Sequence, residues 1–77
     1  DVYIFSYETL LNFLKDNPNG DLEIHHIGLG HAGRITTLPD MSRVIIAEYF
    51  GVNNNLLSDL VGMPKRVDGS IACTHNN

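Results

Sequence analysis

The side chains able to do chemistry are four histidines, one cysteine and nine carboxylates in 77 residues. Glu23-Ile24-His25-His26 sets an acid beside two imidazoles, the material of metal-assisted hydrolysis with one histidine as base. Adjacent strand residues point to opposite faces, so His25 and His26 are expected apart, one packed and one solvated. A zinc set of His25 or His26 with His31, Cys73 and His75 requires distant parts of the chain to meet. Cys73-Thr74-His75 is also not a rigid ligand spacing. Gly28-Leu29-Gly30-His31-Ala32-Gly33 has the letters of a dinucleotide-binding turn. The next helix start, Pro39-Asp40, comes too late for the βαβ unit such a turn needs. No Ser–His–Asp or Cys–His pairing has a supporting context. The expectation is therefore no enzyme, no cofactor and no metal.

Composition bounds what can hold these residues in place. A mass of 8.5 kDa is one small domain, residues 1–77, and 43% hydrophobic residues suffice for a core. Nine acidic against five basic residues give a net charge of −4, which excludes coating nucleic acid by bulk electrostatics. Six of the acids lie in residues 1–42, against Lys15 and Arg34 alone, so the second half is neutral rather than basic. The single Cys73 forms no internal disulfide, and a reducing compartment fits better than a secreted one. No apolar run approaches the ~20 residues of a membrane span. Asp1-Val2-Tyr3-Ile4-Phe5-Ser6 lacks the features of a signal peptide, and the missing initiator methionine suggests a processed chain. A cytoplasmic location is expected.

Along the chain, Ser6 is a helix N-cap, and Tyr7, Leu10, Leu11 and Leu14 recur at helical spacing up to the Asn17-Pro18-Asn19-Gly20 stop. Residues 21–27 alternate as a strand, and the β-branched run 34–38 supplies a second, for a short hairpin. Thr37-Leu38-Pro39-Asp40 has the form of a capped helix start, so residues 41–50 are expected helical with Gly51 at the C-cap. Asn53 or Asn54 caps a further short helix to Leu60, ended by Gly62 and Pro64. Asp68-Gly69 between apolar arms is a hairpin signal over 65–73. No internal repeat stands out, and residues 74–77 are expected to fray.

The stretch Arg43 to Leu60 resembles the helix-turn-helix of winged or Cro-like phage and bacterial repressors. Ala47 stands where the helices cross closely, Gly51 at the corner and Val52 inside the turn. Ile46, Phe50, Leu57 and Leu60 form the seam, and a wing follows over 65–73. The resemblance, covering residues 40–73, implies an α+β fold: N-terminal helix, short β-hairpin, helix-turn-helix at 41–61 and C-terminal β-hairpin wing. It further implies a non-enzymatic transcriptional regulator that binds double-stranded DNA as a homodimer. Asn53, Asn54, Asn55 and Ser58 would meet base edges, with Asp59 beside them, and Thr37, Arg43, Lys65 and Arg66 would meet phosphates. A recognition helix holding Asp59 and no Lys or Arg departs from that pattern. The second class open to the chain is a small acidic protein that blocks a larger assembly, as phage-encoded inhibitors do, through its acidic N-terminal half. The third is a nuclease fragment, because Glu23 to His26 resembles the strand that opens the metal-dependent HNH motif.

Overall fold

The computed structural model describes residues 1–30 and 34–76. His31, Ala32 and Gly33, and with them the centre of the glycine-rich motif and one of the zinc candidates, lie outside the described residues.

The chain begins with a two-residue strand, β1 (Tyr3–Ile4), and the helix α1 (Tyr7–Asp16). The cap works as its residue type requires, with the Thr9 amide donating to Ser6 Oγ at 3.1 Å. Leu10 is the buried residue of α1, Tyr7, Phe13 and Leu14 pack partly beside it, and Leu11 faces out. Beyond the helix the Arg43 guanidinium donates to the carbonyls of Asn17 and Gly20, at 2.9 and 2.6 Å, and fixes the turn into the next strand. That strand is β2 (Leu22–Gly28).

From here the structure overturns the helix-turn-helix. Val44–Gly51 is a strand, β3, lying parallel to β2. Ala47 and Gly51 sit within it, so there is no helical corner, and no helix forms over 53–64. The apparent capping signal before it makes a tight turn instead, in which Asp40 Oδ1 accepts the Ser42 amide at 2.9 Å. Val44-Ile45-Ile46 then extends, because β-branched side chains fit a pleated surface better than a helix. Nor is there a wing. Arg66–Val67 (β4) and Ser70–Ala72 (β5) run end to end along the far edge of β3, both parallel to it. Gly69 between them lies so close to the Glu48 carbonyl that a Cβ there would overlap it; this replaces the hairpin-turn role expected of Asp68-Gly69. The first hairpin is absent too, since residues 34–38 form no strand and β2 pairs with β1 and β3.

The result is a parallel sheet in chain order, β1, β2, β3 and then β4 with β5. Each turn repeats the last. Tyr3 pairs with His26 twenty-three residues on, Leu22 with Val44 twenty-two on, and Ile45 with Arg66 twenty-one on. Leu22, Ile24, Ile35, Leu38 and Met41 recur twenty-two residues later as Val44, Ile46, Leu57, Leu60 and Met63. One strand per turn at about 20–29 residues is the spacing of a solenoid. The chain does carry an internal repeat, and it is structural. Ile4, Ile27 and Phe50 lie on one register line, all buried, under α1 in the first turn and under loops in the later ones. No helix of the described residues is long and apolar enough to cross a membrane.

A buried amide locks successive turns. Asn55 is 4% exposed. Its Nδ2 donates to Leu29 O in the preceding turn at 2.9 Å and to Val52 O and Asn53 O in its own, while its Oδ1 accepts the Ile35 amide. Asn76 repeats the arrangement one turn later, donating to Val52 O, Cys73 O and Thr74 O and accepting from Leu57 N at 3.0 Å. Asn54 and His75, one place before each, both take a left-handed backbone, with φ of 59° and 58°. Replacing Asn55 with Ala strands buried backbone groups and should cost about 1–3 kcal/mol. The check is the urea midpoint, which falls at unchanged slope if the amide acts as described.

Candidate functional site

Inward residues of the sheet fill the core, leaving the opposite face of the strands open. What stands on that face is set by two local irregularities. Ile24 and Ile27 both point inward with two residues between them, so His25 and His26 share the outer side. Ile46 and Phe50 point inward with three between, which puts Ala47, Glu48 and Tyr49 outward. The register shift between β2 and β3 at this point is a bulge, a device that re-aims side chains. The expectation that the two histidines separate is thereby corrected.

Both imidazoles meet one carboxylate. His25 Nε2 lies 3.0 Å from Glu48 Oε2, and His26 Nδ1 lies 3.3 Å from Glu48 Oε1. A carboxylate only accepts, so these contacts assign the proton to Nε2 of His25 and to Nδ1 of His26. The hydrogen bonds from His26 and His25 hold the Glu48 carboxyl below the ordinary glutamate range, which keeps it charged.

Aromatic rings frame the cluster. His26 lies 4.9 Å from Tyr49, 5.2 Å from Phe5 and 6.0 Å from Tyr3 between ring centroids, and Tyr3 lies 5.0 Å from His25. Two glycines, paired in register, form their floor. A Cβ at Gly51 would overlap the Tyr49 ring, and one at Gly28 would stand 3.2 Å from His26 Nε2 and 3.3 Å from Phe5 Cδ1. The glycines let the rings lie down on the sheet, and Phe5 remains 66% exposed there.

The residues expected to touch DNA are not brought together. Asn55 is buried and its amide is committed to backbone, Asn53 and Asn54 are half-buried in the turn after β3, and Ser58 is exposed beyond them. Arg43 braces the turn after α1. Lys65 pairs with Asp21 at 3.1 Å, and Arg66 with Asp68 at 2.9 Å. Thr37 gives its carbonyl to the Tyr7 hydroxyl, Asp59 accepts the Val61 amide, and Val52 is core. Of the acids of the N-terminal half, Asp1 precedes β1, Glu8 and Asp16 lie on α1, Asp21 in the turn after it, Glu23 on β2 and Asp40 in the turn before β3. Of the zinc candidates, Cys73 packs against the core and His75 lies in the closing turn, away from His25 and His26. Among the described residues no group of three or more His, Cys, Asp or Glu is placed to hold a metal ion. The ββα unit of the nuclease motif has no counterpart, because both neighbours of β2 run parallel to it.

Sequence reasoning missed Glu48, Tyr49, Tyr3 and Phe5 as site residues. The signal that could have found them is the repeat, which aligns Gly28 with Gly51 and His26 with Tyr49. Compared with family models, curated proteins and solved structures, the chain finds no match in any of the three.

Two outcomes follow from this geometry. Gly51→Ala meets the far end of a side chain that can swing away, so stability should change by less than about 1 kcal/mol. The ring contact of Tyr49 with His26 should be lost, read as shifts of the His26 ring protons in NMR spectra. Glu48 titrates lower in the folded chain than unfolded, so its contribution is complete above the ordinary 4.5 and disappears as the pH falls through the lower folded value. Urea midpoints of the native chain and Glu48→Gln should therefore converge as the pH drops below 4.5.

Proposed function

We propose that the chain is a non-enzymatic protein-binding module that takes a basic segment of its partner across the open face of the sheet, with one cationic side chain seated at Glu48. The observation that carries this reading is the composition of that face: a charged carboxylate held by two imidazole N–H groups among Tyr3, Phe5 and Tyr49. A lysine or arginine head in such a setting gains from the carboxylate and from the ring faces together. Charge on the face agrees. Glu23, Glu48 and Asp68 stand against Arg66, which Asp68 already neutralises. Tyrosine-rich, rigid surfaces also supply contact area at low entropic cost. Favouring this reading over duplex DNA, the residues expected at phosphates, Arg43, Lys65 and Arg66, each bond within the chain, and no described helix stands ready for a groove.

The test is fluorescence polarisation with a panel of short labelled peptides, lysine- and arginine-containing against glutamine-substituted counterparts, beside a duplex of mixed sequence. Basic peptides should bind in preference. Glu48→Gln should weaken them about tenfold. Binding should fall with added salt. Binding blind to peptide charge, or duplex binding that survives Glu48→Gln, overturns the reading.

A further inference from the structure

The last turn of the solenoid leaves its core positions open. Ile71 follows Ile4, Ile27 and Phe50 on their register line, yet it is 51% exposed where Phe50 is 0%. Leu60 is the counterpart of Leu38 and is 44% exposed against 9%. Met63, Val67 and Cys73, counterparts of the fully buried Met41, Ile46 and Val52, are only half-buried. Among the described residues β4 and β5 pair with β3 alone, so their outer edge is unpaired within the sheet.

We infer that this edge is a stacking surface for one further solenoid turn joined in tandem, whose strand runs parallel to β4 and β5. The contact is defined by the one it continues. Leu29 N donates to Gly51 O, and one turn on Val52 N donates to Ala72 O, so Cys73 N is the next donor to an incoming strand carbonyl. Asn54 N donates to Thr74 O, which places His75 N in the same role. Val52 O accepts both from Asn55 of its own turn and from Asn76 of the next. Cys73 O holds the first of these bonds, from Asn76, and stands where the second belongs. The incoming turn therefore carries apolar side chains in register with Val67, Ile71 and Cys73, and an asparagine in register with Asn76. A second copy of the chain meets these terms less well, because β1, the edge it would offer, is two residues long. This inference is independent of the basic-peptide reading.

The experiment repeats residues 56–77 once after Asn77. The extended chain should remain monomeric by analytical ultracentrifugation and unfold at higher urea. Exchange of the Ile71 and Cys73 amide hydrogens should slow at least tenfold. An extension in which the counterparts of Leu60, Ile71 and Asn76 are all serine should give neither effect. Unchanged amide exchange at Ile71 and Cys73 in the extended chain overturns the inference. So does a concentration-dependent dimer of the original chain that Ile71→Asn dissociates, because the occupant is then a second copy.

Discussion

The fold depends on how a backbone that leaves a strand and turns across the core keeps its polar groups satisfied. A buried carbonyl without a donor costs as much as several apolar contacts return. Asn55 and Asn76 solve this identically, each spending its amide on carbonyls of two successive turns and its oxygen on a loop amide. The side chain is the right length only where the preceding residue swings into the left-handed region, as Asn54 and His75 do. This clip sets the spacing between turns, and the parallel register of the strands follows from it.

Stacking turns of this kind divides the molecule. One side of the sheet collects the core residues and is closed by α1 and the loops; among the described residues the other has nothing over it. Side chains on the open side are held by their neighbours in the sheet plane alone, so a functional constellation there needs its own support. The bulge supplies the placement, Gly28 and Gly51 supply the room, and Glu48 ties the two histidines together. The irregular stretch of β3 is thus where Glu48 is brought to the two histidines. Asp68 N still bonds Ile46 O beside it, so the sheet continues past the irregularity.

Part of this was legible from residues alone. The cap at Ser6 and the stop after Asp16 delimit α1, and the alternation of residues 21–27 gives β2, because both signals are local. The segment after Thr37 was not, because Pro39-Asp40 suits a helix start and an aspartate-stabilised turn equally well. What decides between them is the neighbouring strand, since Val44, Ile46 and Phe50 gain a partner in β2 only if extended. The helix-turn-helix spacing of Ala47, Gly51 and Val52 is met in β3 for unrelated reasons: an outward small residue, a glycine beneath a ring and a core valine. The repeat is masked in the sequence because its step drifts between twenty-one and twenty-three residues, and because the first turn uses a helix where the others use loops.

The histidine pair shows why site residues are harder to find than elements. Strict alternation sends His25 and His26 to opposite faces, and that rule holds only while a strand is regular. Two residues between inward Ile24 and Ile27, facing three between inward Ile46 and Phe50, break the rule in both strands at once. Neither break is visible in its own segment; each becomes visible when the two are laid side by side in the register that the core residues impose. A chain this small has few positions free of packing duty, and an irregularity shared by adjacent strands is how it frees several together. The carboxylate at the centre then stays charged because the imidazoles on either side donate to it. The geometry of this cluster therefore depends on the register between turns, across which Asn55 and Asn76 bond.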